Sequence, residues 1–268
     1  MIDAAFRSLR AAGPMEQFEI LPIVPLTLGG LDISFTNSAL WMTIGVGLTI
    51  AFFYAATRRR TLIPGRTQSI AEILHEFVAN LVRDTIGHDG KKFFPYVFTL
   101  FIFILVANYV GLLPSIPGSP HEIHTFTTTS HIIVTFALAM VTISIVLIYG
   151  FAKNGLKFFK LFAPSGLPIW LMPILVPIEV ISFLSRPISL GVRLFANMLA
   201  GHIILKLFAG FVIALLGAGG FASVLAIAPF LGSIAIFLLE FLVAALQAYV
   251  FAILTCIYLS DAAHAADH

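Results

Sequence analysis

The sequence predicts an all-α, polytopic membrane protein with about five membrane helices. The last two should form a long, strongly tilted antiparallel hairpin, and one further helix should be amphipathic and lie at a surface. Three observations lead there. Of 268 residues, 59% are hydrophobic and only 10% are charged, against roughly a quarter charged in an average soluble chain. The mean hydropathy is +1.02, far into the range of chains that cross bilayers. The basic residues gather at the ends of apolar runs, as the positive-inside rule requires of cytoplasmic loops.

The chain reads as a single membrane-embedded domain over 1–268. Residues 1–37 form an outer N-terminal segment, a short amphipathic piece and a loop marked by Pro14, Pro22, Pro25, Gly29 and Gly30. Met1 to Gly13 has no apolar core followed by a small-residue cleavage site, so it is expected to stay in the mature protein. Residues 38–57 form the first span, with Asn37 or Ser38 as its cap. Arg58, Arg59, Arg60 and Arg66 follow at once, which puts that end in the cytoplasm and the N-terminus outside.

Residues 67–89 carry Ile70, Ile73, Leu74, Phe77, Leu81 and Val82 at helical spacing, with Glu72, His75, Glu76, Arg83 and Asp84 between them. This helix is too charged to span and is amphipathic. Lys91 and Lys92 precede a second span, 93–113, which contains Asn108. The loop from Pro114 to Ser130 has no Lys or Arg and faces outside. A third span, 131–151, returns to Lys153, Lys157 and Lys160.

From Pro177 to Leu216 the only interior helix breaker is Pro187. Those 40 residues would make a helix about 60 Å long. The hydrocarbon core is only about 30 Å thick, so the helix over 177–216 must tilt, kink at Pro187 or leave the core. Gly217-Ala218-Gly219-Gly220 then turns the chain into a second long apolar segment, 221–259. Three basic clusters and five crossings place the C-terminus in the cytoplasm.

Polar residues concentrate in this hairpin. Glu179, Arg186 and Arg193 are spaced by seven, so they share one stripe that drifts only about 20° per heptad. Asn197, four residues beyond Arg193, shares that face. His202 and Lys206 fall on the opposite face. Glu240 and Gln247 are also spaced by seven. Facing residues of an antiparallel pair have a constant number total, and a turn at Gly219-Gly220 sets it near 440. Arg193 with Gln247 gives 440, and His202 with Glu240 gives 442. One register therefore serves both polar pairs.

The chemistry follows from residue type. Histidine titrates near neutrality, and His/Glu chains in membranes pass protons. Arginine stays charged. It cannot relay a proton by losing one, but it can attract a carboxylate, repel a cation or drive a neighbouring acid to release its proton. The set reads as a proton path with a fixed positive gate. Arg186, Lys206 and Glu179 have an alternative reading as snorkelling or paired anchors.

Ser189-Leu190-Gly191-Val192-Arg193-Leu194-Phe195-Ala196-Asn197-Met198-Leu199-Ala200-Gly201-His202 closely resembles the subunit a family of F-type ATP synthases. Leu246-Gln247-Ala248-Tyr249-Val250-Phe251, Tyr258-Leu259-Ser260 and Asn108-Tyr109-Val110-Gly111-Leu112-Leu113-Pro114 look like further motifs of that family. The resemblance implies a proton-conducting stator subunit of the synthase membrane sector in a bacterial inner membrane. Its implied partners are a rotating ring of c subunits, the peripheral-stalk b subunits, protons and the lipid bilayer.

Carried onto this sequence, Arg193 matches the arginine that meets the ring carboxylate and prevents proton short-circuit between two offset half-channels. Gln247 and Asn197 match its polar neighbours. Glu179 matches an acid of the cytoplasmic half-channel. His202 and Glu240 match a coupled pair of the outer half-channel, in the order similar to mitochondrial and alphaproteobacterial members. Asn108 and Ser189 fall at further polar positions of the path. Some bacterial members carry an acid where this chain has Gly111.

Competing classes are less well supported. A secondary transporter would be expected to show internal repeats, and none stands out. His121-Glu122-Ile123-His124 with His131 could ligate a metal, but the spacing is not that of a helical H-E-x-x-H site. No metal or other cofactor is expected. There is no phosphate-binding G-x-x-x-x-G-K-[ST] loop, so this chain should bind no nucleotide and catalyse nothing alone. The basic clusters have a topological explanation, so no nucleic acid is expected as partner.

Overall fold

Backbone polar groups in hydrocarbon must be satisfied within their own segment, and the apolar runs of this chain accordingly fold as helices. The structure is a computed structural model that describes residues 20–28, 31–32, 34–58, 61–113, 127–162 and 171–264. Four short strands come first: β1 (Pro22–Val24), β2 (Thr27–Leu28), β3 (Leu31–Asp32) and β4 (Phe35–Thr36). Then follow α1 (Asn37–Arg58), α2 (Arg66–Ile86), α3 (Phe94–Gly111), α4 (Ile132–Asn154), α5 (Met172–Ala218), α6 (Phe221–Leu225) and α7 (Ile227–Ala263). Short 3₁₀ turns lie between, among them Gly87–Lys92 and Thr128–Ser130.

Among the described residues, five stretches are long and apolar enough to cross a membrane: α1, α3, α4, α5 and Phe221–Ala263. Helix α5 has 47 residues, or about 70 Å at 1.5 Å per residue. It begins at Met172, five residues before the start expected at Pro177, and passes through Pro177 and Pro187 without interruption. Each proline removes one helical hydrogen bond. In an apolar setting the freed carbonyl gains nothing by unwinding, so the helix persists.

The strands revise the expectation of a mere loop before the first span. β1 pairs antiparallel with β4, and β2 with β3. Gly29-Gly30, a favoured hairpin dipeptide, separates the inner two in sequence. Helix α2 buries Ala71, Val78, Val82 and Ile86, while Ile70, Ile73 and Phe77 are exposed. Of the apolar set read from the sequence, Val82 packs inward, Leu74 and Leu81 are half-buried, and the rest forms an exposed apolar surface.

The contacts divide the described residues into two compact units. The first comprises those of Met1–Gly45, Val106–His131 and Phe195–Leu246. Here Asn37 ties the start of α1 to the strands: its Oδ1 accepts from the backbone N–H of Leu21 at 3.2 Å and of Ser38 at 2.8 Å. The connection from α5 to α6 turns on Gly219 and Gly220, with φ of 71° and 58°, values that side-chain-bearing residues adopt at a cost. Beyond it the Phe208 ring lies on Gly232, and the Glu240 carboxylate lies against Gly201. These pairs total 440 and 441, the register set by the glycine turn.

The second unit comprises Val46–Leu105, Ile132–Leu194 and Gln247–His268, as far as described. Its core includes Val97, Ile104, Val146, Phe251, Cys256 and Leu259, all essentially inaccessible. Helices α4 and α5 approach closely at Gly191, where a Cβ would come within 3.1 Å of the Phe136 Cα. Small residues allow such approaches between membrane helices. Tyr96 Oη and Thr142 Oγ1 share a hydrogen bond of 2.8 Å. Asn154 Nδ2 donates to the carbonyl of Ala262 at 2.7 Å, satisfying an acceptor in the last turn of α7.

Candidate functional site

In the first unit, mostly buried polar groups are linked by hydrogen bonds. Asn108, near the end of α3, is fully buried. Its Nδ2 donates to the carbonyl of Ala244 on α7 at 3.1 Å. Its Oδ1 accepts from Thr129 Oγ1 at 2.7 Å. Thr129 belongs to the 3₁₀ turn before α4, and Ser130 Oγ in the same turn donates to the carbonyl of Thr127 at 2.6 Å. Thr127 Oγ1 in turn shares a 2.7 Å hydrogen bond with His202 Nε2.

Glu240, on α7, is only 5% exposed. Its Oε2 has no hydrogen-bond partner among the described residues, and its carboxyl group occupies the space left by the missing side chain of Gly201. Glu240 thus sits one residue from His202 along α5, as the register requires. Asn197 belongs to this unit and is exposed.

The second unit holds both hairpin arginines, in different settings. Arg186 Nη1 donates to Asp261 Oδ2 at 2.9 Å. Its guanidinium carbon lies 5.2 Å from the Phe183 ring centre and 4.9 Å from that of Tyr258, within cation–π range. Arg193 is exposed, and its Nη2 donates to Ser189 Oγ at 3.5 Å, a long contact. It makes no ion pair among the described residues. Gln247 is buried and Glu179 is partly buried.

Outside the spans, Asp89 accepts from Lys153 Nζ at 2.6 Å and from Lys92 Nζ at 3.4 Å. The Lys153 ammonium, and after it that of Lys92, hold the Asp89 carboxyl below its ordinary value.

Residues 39–260 match the family described as ATP synthase A chain. The chain belongs to the ATP synthase A chain family. Its relatives within that family cover it almost from end to end. The ATP synthase subunit a of Hyphomonas neptunium is 57% identical over 258 residues, covering 96% of this chain and 98% of the relative. That of Mesorhizobium japonicum is 56% identical over 251 residues, 94% and 96% of the two chains. That of Rhodospirillum rubrum is 54% identical over 249 residues, 93% and 97%. As a member of the ATP synthase A chain family with five membrane-length apolar helical stretches among the described residues, the chain is an integral membrane protein.

Sequence reading singled out Asn108, His202 and Glu240 but not the groups that hold them. Thr127, Thr129 and Gly201 were missed. The available signal was the run Thr127-Thr128-Thr129-Ser130, four hydroxyls beside a span with no charge to attract attention. Asp261 carries no signal of its role in the sequence pattern. With Arg186 it totals 447, seven beyond the hairpin register. His121, Glu122 and His124 lie outside the described residues. No cluster of metal-ligating side chains occurs among the described residues.

Proposed function

We propose that this chain is the proton-conducting stator subunit of an ATP synthase membrane sector in a bacterial inner membrane, with its C-terminus cytoplasmic. The observation that carries the reading is the setting of Arg193. An uncompensated charge at the centre of a membrane helix costs about 2.5–3.5 kcal/mol even on a lenient scale. Arg193 is exposed and has no carboxylate among the described residues of its own chain. Its counter-charge then comes from a partner, here a carboxylate of a c-subunit ring.

The remaining site residues fit two offset half-channels. Asn108, His202 and Glu240 all belong to the first unit and supply the outer path, where a proton enters and neutralises a ring carboxylate. The neutral carboxyl can then turn into lipid. Glu179, Ser189, Arg193 and Gln247 all belong to the second unit. A ring carboxyl arriving at Arg193 after nearly a full revolution loses its proton toward Glu179, because the fixed positive charge favours the ionised form. Arg193 pairs with it transiently and blocks direct passage between the half-channels. Gln247 and Asn197 orient the gate as its polar neighbours. The b subunits of the peripheral stalk hold the chain against the torque of the ring.

The test is ATP-driven proton pumping in everted membrane vesicles whose assembled complex carries Arg193→Ala. Pumping and synthesis are expected to vanish while the complex remains assembled. A raised passive leak would identify Arg193 as the barrier between the half-channels as well. Pumping at the normal rate would reduce Arg193 to a helix anchor and overturn the reading.

A further inference from the structure

Gly111 and Thr127 form one device with His202 at its end. A Cβ at Gly111 would collide with the hydroxyl, Cβ and methyl of Thr127, so the absent side chain is what lets Thr127 sit there. Thr127 is buried. Its turn is pinned by the Thr129–Asn108 bond at 2.7 Å and by the Ser130 bond to the Thr127 carbonyl at 2.6 Å. From this fixed position Thr127 Oγ1 meets His202 Nε2 at 2.7 Å.

We propose that Thr127 is a positioning residue for His202, holding the imidazole in one place whether or not Nε2 carries a proton, in a space that Gly111 leaves open. This rests on the reading of His202 as part of the outer proton path. A hydroxyl both donates and accepts. When Nε2 is bare, the Thr127 O–H donates to it. When Nε2 carries a hydrogen, its N–H donates to Oγ1. A carbonyl could hold only the second form, and an ammonium such as that of Lys206 only the first. The hydroxyl lets the ring gain and lose a proton without swinging away.

Displacement of a reacting group by about 1 Å can cost a hundredfold in rate, so loss of the tether should be visible in flux. The experiment measures ATP-driven acidification of everted vesicles, divided by the amount of assembled complex, for Thr127→Val, Thr127→Ser, Thr127→Ala and His202→Ala. Valine keeps the shape of threonine without its hydroxyl, and serine keeps the hydroxyl. The expected result is a fall of about tenfold for valine, with serine within about twofold of the native chain. A purely structural role for Thr127 would leave valine unharmed. Valine pumping normally, or serine failing as badly as valine, overturns the proposal while an impaired His202→Ala keeps the proton-path reading standing. A His202→Ala chain that pumps normally overturns that reading itself. If the valine chain does not assemble, serine and alanine decide: equal rates overturn the proposal, and a rate roughly tenfold higher for serine supports it.

Discussion

Arg186 and Arg193 are the same side chain on the same helix, one heptad apart, in different surroundings. Arg186 has its counter-charge inside the chain, Asp261 at 2.9 Å, and aromatic rings at 5.2 and 4.9 Å. Arg193 has a serine hydroxyl at 3.5 Å and an exposed guanidinium. A charge satisfied from within contributes to structure. One left facing outward on an apolar helix is available to something else. Sequence spacing places both arginines on one stripe and gives no reason to separate them. The position of a single aspartate does.

Replacing each arginine by lysine sharpens the contrast most. Lysine keeps the charge but lacks the planar fork. A lost charge-assisted hydrogen bond is worth about 1.5–3 kcal/mol. At Arg193 that corresponds to at least a tenfold loss of ATP-driven pumping per assembled complex. At Arg186 pumping should remain within about twofold, since an ammonium still pairs with Asp261. Equal losses at both sites would break the distinction.

Asp261→Asn comes next. It should cost about 1–2 kcal/mol, between an exposed pair and a buried one, because the Arg186 side chain is 18% exposed and that of Asp261 36%. The readout is a lower thermal midpoint of the purified complex, with proton pumping at moderate temperature retained. A variant that stays as stable but loses pumping would move Arg186 and Asp261 from structure to conduction.

The smallest effect belongs to Asp89, whose ion pairs with Lys153 and Lys92 are open to solvent. The two ammonium groups hold its carboxyl below the ordinary 3.8, so its stabilisation is fully present above that value. It fades as pH falls through the depressed folded-state value. Native protein should therefore lose slightly more stability than Asp89→Asn on moving from about pH 5 to pH 3, measured as the shift in thermal midpoint. Identical shifts would mean that solvent screens the pair completely.

Much of this was legible in the sequence because membrane folds have few options. Hydropathy and basic clusters indicated five spans, and a glycine turn fixed a register later found at Gly201 with Glu240 and at Phe208 with Gly232. Other features were hidden for physical reasons. Thr127 and Thr129 act through hydrogen bonds to residues distant in the chain, and hydroxyls leave no trace in periodicity or charge. Gly111 matters for what occupies its vacant side-chain space. The pairing of Arg186 with Asp261 departs from the register by seven residues, so a register extrapolated from the glycine turn does not find it. The start of α5 at Met172 was obscured by prolines, whose breaking power weakens where no water competes for the freed carbonyl.

The turn at Gly219 and Gly220 has an evolutionary corollary. Surface connections are ordinarily where chains tolerate gained or lost residues. Here the return rests on two consecutive glycines at positive φ, so residue type constrains the tip as well as length. A residue added there is tolerated only where the turn itself absorbs it and leaves Glu240 in the gap at Gly201 and the Phe208 ring on Gly232. Lineages can then vary the composition of the hairpin more freely than the backbone geometry of its tip.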